Sequence, residues 1–150
     1  MKKIMFVCYG NICRSPMAEF IMKDYVFKKG KQAEYLIRSS ATHNDGIDCI
    51  PHRGTRAILD RLNISYKGKV GVKLTPLDYD KYDYFIGMDN GNVYDMKRIL
   101  LGDKDNKVFK LLDFTPRGGE VADPYWTGDF ETTYQDIKEG VEALFNYLEK

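Results

Sequence analysis

Four short apolar segments alternate with stretches of helical periodicity along this chain of 150 residues. The segments, each predicted to be a β-strand, are Ile4–Val7, Tyr35–Ser40, Tyr84–Met88 and Val108–Leu112. Between them, apolar side chains recur three or four residues apart, which indicates amphipathic helices. Strands that alternate with helices are joined by right-handed crossovers and pair in parallel. The alternation therefore predicts a three-layer α/β/α domain with a four-stranded parallel sheet.

The predicted helices are bounded by residues that start or stop helices. Ser15 is expected to be the N-cap of the first helix, with Pro16 at its first position, and Gly30 is expected to end it. The predicted helices cover about Pro16–Lys29, Pro51–Asn63, a short turn from Thr75-Pro76, Asn92–Leu101 and Thr133–Leu148. The stretch Pro116–Phe130 has little periodicity and is expected to be a long loop.

Size and charge narrow the classes of protein that fit. A chain of this length matches one domain, so we expect residues 1–150 to form a single domain. The 23 basic and 22 acidic residues give no overall attraction to nucleic acid or to a membrane surface. The three cysteines form no disulfide framework, and no segment has the length of a signal peptide core or a membrane span. We therefore expect a cytoplasmic monomer with no nucleic-acid or membrane partner.

The segment Cys8–Pro16 connects the first strand to the first helix. A loop in this position points successive backbone N–H groups and the positive end of the helix dipole at one place, which makes an anion site. Cys8 would share that field, which favours the nucleophilic thiolate form of a cysteine. Arg14 supplies a planar fork that matches two oxygens of a phosphate. These residues predict attack by the Cys8 sulfur on a bound phosphoryl group.

With five residues between Cys8 and Arg14, Gly10 and Asn11 among them and Ser15-Pro16 directly after, the loop resembles the signature of the low-molecular-weight protein tyrosine phosphatases. The resemblance implies hydrolysis of phosphotyrosine in a protein partner through a cysteinyl-phosphate intermediate. It also implies a four-stranded parallel sheet with flanking helices. The loop residues and supporting residues expected to bind or frame the phosphate are Tyr9, Gly10, Asn11, Ile12, Cys13, Ser15, Ser39 and Asp89.

A second motif, Asp123-Pro124, lies in the predicted long loop. An acid that protonates the departing phenolate lowers the barrier to hydrolysis of an aryl phosphate. Asp123 matches the aspartate that the family uses for this purpose, and Pro124 would stiffen the segment that presents it. Without the Cys8 loop, an ordinary Asp-Pro turn would be the preferred interpretation.

Aromatic residues flank both motifs. Tyr9, Tyr125 and Trp126 would wall a slot that fits a phenyl phosphate and is too deep for a phosphoserine. Tyr125 and Trp126 lie in a polar loop, whereas for Tyr9 a place in the core is an equal alternative. The family often adds another aromatic after the second strand, where this chain has Thr42–Gly46 with Asp45. This difference affects partner preference and leaves the chemistry unchanged.

The family resemblance also implies supporting roles. Asn11 resembles a loop asparagine with a left-handed backbone, and Ser39 resembles the serine that hydrogen-bonds it. Asp89 is expected to orient Arg14, although an Asp before Asn-Gly is also an ordinary turn residue. Ser15 is expected to donate a hydrogen bond to the nucleophilic sulfur. The parallel topology brings the strand ends that carry these residues to one crevice.

The two other cysteines have different surroundings. Cys13 follows Cys8 by five residues in a curled loop, so a resolving thiol and a small buried residue are equal alternatives. Cys49 is expected to be inert. The histidines His43 and His52 do not provide paired ligand spacing with these cysteines, so no metal or cofactor is expected.

Other classes share parts of the pattern. Thiol-dependent arsenate reductases have a similar loop but need further cysteines, and Gly71–Asn92 contains none. A phosphocarrier or an inactive phosphotyrosine-binding module would not need Cys8, Arg14 and Asp123 together. A protein arginine phosphatase is the nearer alternative. The relatives that prefer phosphoarginine, however, carry a threonine where this chain has Ile12. We expect phosphotyrosine to be preferred.

Overall fold

The computed structural model describes every residue from Met1 to Lys150. The four strands are β1 (Lys2–Cys8), β2 (Tyr35–Ala41), β3 (Tyr84–Gly87) and β4 (Val108–Lys110). The five α-helices are α1 (Arg14–Lys28), α2 (Arg53–Arg61), α3 (Asn90–Ile99), α4 (Pro124–Thr127) and α5 (Phe130–Leu148). Short 3-10 turns cover Gln32–Glu34, Pro76–Asp78 and Leu111–Phe114. None of the helices combines the length and the apolar character that crossing a lipid bilayer requires.

The four strands form one parallel sheet in the order β2-β1-β3-β4, which confirms the predicted sheet. β1 is an inner strand, and its Phe6 lies between Ser39 of β2 and Ile86 of β3. An inner parallel strand is covered on both faces, which explains its nearly continuous apolar sequence. β1 and β3 end side by side, so Cys8 and Asp89 come to the same edge of the sheet.

Helices cover both faces of the sheet and complete the three predicted layers. Because successive side chains of a strand alternate, Ile4 and Phe6 pack into the larger core with α1 and α5. Met5 and Val7 point the other way, into a smaller core that contains Met96 of α3. These five side chains are at most 4% exposed, so β1 is fixed from both sides.

Helix α1 begins earlier than predicted. Its first residue is Arg14 and its N-cap position is Cys13, so the prediction that Ser15 is the N-cap is wrong. Ser15 lies in the first turn, where its hydroxyl bonds to the Asn11 amide and lies 3.0 Å from Cys8 Sγ. These tertiary contacts engage the hydroxyl that would otherwise cap the helix.

The region after β4 differs most from its prediction. β4 ends at Lys110, because the next residues form a 3-10 turn that buries Leu111 against Gly140 of α5. The segment predicted to be a long loop contains α4, a single turn that is too short to show periodicity. Helix α5 begins at Phe130 rather than at Thr133.

Candidate active site

The loop between β1 and α1 is held from outside by its carbonyl oxygens. Four of them accept hydrogen bonds from the segment 42–55. Because a planar peptide points its N–H away from its carbonyl, this arrangement turns N–H groups of the loop inward. We call residues 8–14 the cradle. The donors and acceptors are Thr42 N and Cys8 O (3.0 Å), His43 N and Tyr9 O (3.0 Å), His52 N and Ile12 O (2.7 Å), and Thr55 Oγ1 and Cys13 O (2.9 Å).

Cys8 lies at the end of β1 and is 3% exposed. Its Sγ is 3.0 Å from Ser15 Oγ and accepts a hydrogen bond from the Ser15 backbone N–H at 3.4 Å. The N–H groups of the first turn of a helix have no acceptor within the helix, and they carry the positive end of its dipole. The sulfur therefore lies where negative charge is stabilised, which is what a nucleophilic thiolate requires.

Arg14 is the first residue of α1 and is also 3% exposed. Its Nη1 donates to the Val121 carbonyl at 3.1 Å and lies 2.9 Å from Asp89 Oδ2. Its Nη2 lies 3.4 Å from Asp123 Oδ2. These contacts fix the plane of the guanidinium, so its donors are oriented before a ligand arrives. The contact with Asp89 agrees with the predicted orienting role.

Asp123 is the N-cap of α4. Its Oδ1 accepts the Tyr125 N–H at 3.1 Å, while its Oδ2 is the oxygen that faces Arg14. The side chain keeps 29% of its surface exposed. A general acid must be positioned and must also exchange its proton with solvent, and this carboxylate meets both conditions.

Asn11 supports the cradle from behind and is 1% exposed. Its backbone has a φ of 57°, a left-handed conformation that asparagine tolerates. Its Nδ2 donates to Ser15 Oγ at 2.7 Å and to Ser39 Oγ at 2.9 Å. Its Oδ1 accepts the Val72 N–H at 3.1 Å. The geometry agrees with the predicted conformation and with the predicted bond to Ser39.

The structure brings most of the predicted residues to one cleft of about 680 Å³. Asn11, Ser15 and Ser39 lie behind the cleft and are buried. The ten predicted residues that line it are Cys8, Tyr9, Gly10, Ile12, Cys13, Arg14, Asp89, Asp123, Tyr125 and Trp126.

The aromatic residues of the cleft are exposed. Tyr9 is 47% exposed and stacks on His43 with ring centroids 3.9 Å apart, so its alternative place in the core is wrong. The rings of Tyr125 and Trp126 meet edge to face at 5.0 Å, and both remain largely exposed. These rings are free to contact an aromatic ligand at the mouth of the cleft.

Cys13 is 7% exposed and lines the cleft. Burial, together with the nearby negative charges of Cys8 and Asp123, raises the pKa of its thiol from 9.0 to about 12. The Cys13 thiol is therefore protonated and neutral at neutral pH, and it occupies the place of a small buried side chain. Its role as a resolving thiol stays a prediction.

The cleft also contains residues that were not predicted as site residues, although Asp45 stands where the family often has an aromatic. Asp45 and Gly46 come from the segment after β2, and a Cβ at Gly46 would lie 2.1 Å from the Gly10 carbonyl oxygen. Nothing in the sequence marks this close approach, because the two backbones meet only in the folded chain. Asp95 lies on α3 and also lines the cleft. Its position on the helix that follows Asp89 is a weak sign of this in the sequence. No group of three or more metal-ligating side chains is present.

Comparison with known families matches residues 3–150 to the description "Low molecular weight phosphotyrosine protein phosphatase". A low molecular weight protein-tyrosine-phosphatase of Bacillus subtilis, YfkJ, is 38% identical over 100% of this chain and 97% of its own length. The crystal structure of YfkJ superposes with a TM-score of 0.96, covering 99% of this chain and 95% of that one, at 37% identity.

Two further solved structures are similar to this chain. SP-PTP, a low molecular weight protein tyrosine phosphatase of Streptococcus pyogenes, is 40% identical with a TM-score of 0.87, over 99% of this chain and 93% of that one. A Drosophila arginine phosphatase, DARP, has a TM-score of 0.88 at 23% identity, over 100% of this chain and 99% of that one. At that identity the likeness shows the fold alone.

A parallel α/β sheet that ends in a cysteine-arginine cradle defines a class of phosphatases. Within that class, this chain belongs to the low molecular weight phosphotyrosine protein phosphatase family.

Proposed function

We propose that this protein hydrolyses phosphotyrosine in protein substrates, with Cys8 as nucleophile, Arg14 as phosphate clamp and Asp123 as general acid. The observation that carries the proposal is the position of Cys8 Sγ, which accepts the Ser15 N–H at the start of α1. Beside it, Arg14 is restrained by Asp89 and Asp123. Membership of the family supports the reaction and the substrate class.

In the first step, the Cys8 thiolate attacks phosphorus while Arg14 and the inward N–H groups bind the phosphoryl oxygens. The bond between phosphorus and the tyrosyl oxygen breaks, and Asp123 transfers its proton to that oxygen. Tyrosine leaves, and the phosphoryl group is held as a cysteinyl phosphate.

In the second step, water attacks the phosphorus of the cysteinyl phosphate. Asp123, now a carboxylate, accepts a proton from this water. The bond between sulfur and phosphorus breaks, and the Cys8 thiolate leaves with the Ser15 hydroxyl and N–H to stabilise its charge. Inorganic phosphate is released and the starting protonation of the site returns.

The nucleophile is tested by Cys8→Ser. Serine is a far weaker nucleophile at neutral pH, so turnover of a phosphotyrosine peptide is expected to fall on the order of 10⁴-fold or more. Binding of the labelled peptide, measured by fluorescence anisotropy, is expected to persist because Arg14 and the loop N–H groups remain. Cys49→Ser, at an exposed cysteine, is the matched control and should retain full activity. Substantial turnover by purified Cys8→Ser would overturn the mechanism.

A protein arginine phosphatase is the second candidate function. Ile12 argues for phosphotyrosine, since its side chain lines the cleft and offers no polar group to a guanidinium. An arsenate reductase is a weaker candidate, because that reaction needs further cysteines and Cys49, which is exposed, is the one cysteine outside the cradle.

Composition and sequence length are the basis for the domain organisation, oligomeric state and location that we infer. We infer that residues 1–150 act as a single phosphatase domain and as a monomer in the cytoplasm. The near balance of 23 basic and 22 acidic residues supports the absence of a nucleic-acid or membrane partner. Three free cysteines are compatible with a reducing compartment.

A further inference from the structure

A second cavity, of about 550 Å³, lies beside β2, which is an edge strand of the sheet. It shares no residue with the active-site cleft. We call it the edge cavity. The lining residues that matter for its chemistry are Glu19, Arg38, Ser40, Lys67, Lys69 and Lys73.

Positive charge predominates in the edge cavity, although the whole chain has a net charge of only +1. Five basic and two acidic residues line it. Glu19 is compensated by two lysines, whereas Asp78 accepts hydrogen bonds from the neutral Thr75 and keeps its charge, so the basic residues still outnumber the acidic ones. Lys67 and Lys73 form no ion pair with a carboxylate of the protein. The charge that remains available is therefore cationic.

The Lys69 side chain is a fixed part of the wall of the edge cavity. Its side chain is 11% exposed, and its Nζ donates to the Ser39 carbonyl at 3.0 Å and lies 3.6 Å from Glu19 Oε1. Burial lowers the pKa of this ammonium, although Glu19 partly offsets the effect. A fixed and partly dehydrated cation attracts an anion more strongly than a mobile surface lysine does.

Ser40 is a buried residue of the cavity wall. It is 1% exposed and lines the edge cavity. Its Oγ is the one buried side-chain nitrogen or oxygen atom that has no hydrogen-bond partner. Buried hydroxyls in folded proteins nearly always have a partner. This oxygen is also buried from the cavity, so it is a feature of the cavity wall and not a contact for a ligand.

We propose that the edge cavity binds the phosphate group of a small molecule. Lys67, Lys69 and Lys73 contact its oxygens. The volume falls in the range of about 300–1,000 Å³ typical of small-molecule sites. Phe20 and Tyr82 also line the cavity, so a phosphate ester with an apolar group fits as well as free phosphate.

The test is a titration followed by ¹H–¹⁵N NMR, because backbone amides report the edge cavity and the cradle separately. Inorganic phosphate and phenylphosphonate, whose carbon–phosphorus bond is not hydrolysed, are the two probes. The amides of Ser40 and Lys73 are expected to shift saturably with either probe or both. Tighter binding of phenylphosphonate would identify an organic phosphate, and tighter binding of inorganic phosphate would identify the free ion. Sodium chloride at equal ionic strength is the reference.

Variants connect the shifts to the proposed residues. Lys67→Gln/Lys73→Gln is expected to weaken binding at the edge amides at least tenfold. The Gly10 amide should titrate as in the wild type, which also shows that the variants are folded. Lys104→Gln/Lys138→Gln removes the same charge elsewhere and should change neither site. Edge-amide shifts no larger than those with chloride, or unchanged by Lys67→Gln/Lys73→Gln, would overturn the proposal.

Discussion

Asp123 divides its two carboxylate oxygens between two partners. Oδ1 caps α4 through the Tyr125 N–H, and Oδ2 faces Arg14. Removing the carboxylate with alanine would therefore remove a helix cap, worth about 1 kcal/mol, together with the proposed acid. Asparagine separates the two effects, because its amide oxygen still accepts the capping hydrogen bond while its amide group has no acidic proton.

We expect Asp123→Asn to slow hydrolysis of phenyl phosphate by about 10²–10⁴-fold, the usual contribution of a general acid. Nitrophenyl phosphate should lose much less, because nitrophenolate leaves without protonation. The measurement is kcat/KM for both esters. Asp129→Asn makes the same change at the N-cap of α5 and should alter neither rate. Equal losses on the two esters would remove Asp123 from this role.

The protonation of Cys13 makes the free energy of unfolding depend on pH. Burial raises the pKa of its thiol from 9.0 to about 12 in the folded chain. In the unfolded chain the thiol ionises near its ordinary value. The folded state therefore binds more protons between these two values, and the stability from the neutral thiol is fully present below about pH 9. It is lost as the pH rises from about 9 through about 12.

Cys13→Ala should remove this pH dependence. Relative to the variant, the free energy of unfolding of the wild type is expected to fall by up to about 1.4 kcal/mol per pH unit above pH ~9. Urea unfolding at a series of alkaline pH values measures the difference. Cys49→Ala, which removes an exposed thiol, controls for cysteine loss. A difference between wild type and Cys13→Ala that stays constant with pH would contradict the raised pKa.

At the scale of elements, the start of α3 is connected to the active-site arginine. Asp89 caps α3 by accepting the Asn92 N–H at 2.8 Å with Oδ1, and its Oδ2 lies 2.9 Å from Arg14 Nη1. The Asn92 side chain in turn accepts the Asp89 N–H at 3.2 Å, which completes a capping box. Asp89 therefore caps α3 and also holds the Arg14 guanidinium in place.

Asp89→Asn is expected to keep the cap and lose the ion pair. The lost charge-assisted hydrogen bond, about 1.5–3 kcal/mol, corresponds to a decrease in kcat/KM of about ten- to hundredfold. The free energy of unfolding should change less than in Asp89→Ala, which loses about 1 kcal/mol more with the cap. Kinetics and urea unfolding of both variants separate the contributions. An Asp89→Asn enzyme as active as the wild type would show that Arg14 needs no partner there.

The elements also show what the sequence can predict. The strand ends that carry Cys8, Ser39 and Asp89 follow from hydrophobic periodicity and parallel topology, so their convergence was predictable. The start of α1 was not, because Ser15 and the proline after it are a good capping signal, and the competing bonds exist only in the folded chain. The edge cavity was not predictable either, because its cations meet only when residues 67–73 pack beside β2.

At the scale of the whole molecule, we expect the walls of the cleft to decide the substrate. Ile12, Tyr9, Tyr125 and Trp126 come from two distant parts of the chain and together line one cleft. An apolar wall suits a phenyl ring and offers no acceptor to a phosphoarginine, so N–H donors that lie against it are left unpaired at about 1–3 kcal/mol. Asp45 and Asp95 line other parts of the cleft. We expect a phosphoserine to be too short to place its phosphate in the cradle and also contact this wall.

We therefore expect kcat/KM for a phosphotyrosine peptide to exceed that for matched phosphoarginine and phosphoserine peptides by about tenfold or more. Ile12→Thr adds a hydroxyl at the wall and should narrow the difference between phosphotyrosine and phosphoarginine. The same variant should leave the phosphoserine rate unchanged, which serves as its control. Equal rates on phosphoserine and phosphotyrosine in the wild type would contradict the aromatic slot.

The contacts of Arg14 have a consequence for the newly made chain. The arginine leaves the ribosome early, whereas the Val121 carbonyl that it binds is made 107 residues later. At about 5–20 residues per second, the nucleophile waits roughly five to twenty seconds for the last parts of its pocket. Asn11 likewise waits for Val72. A nascent chain therefore carries Cys8 and Arg14 before the groups that orient the arginine have been made, and we expect catalysis to begin only after Asp123 has been synthesised.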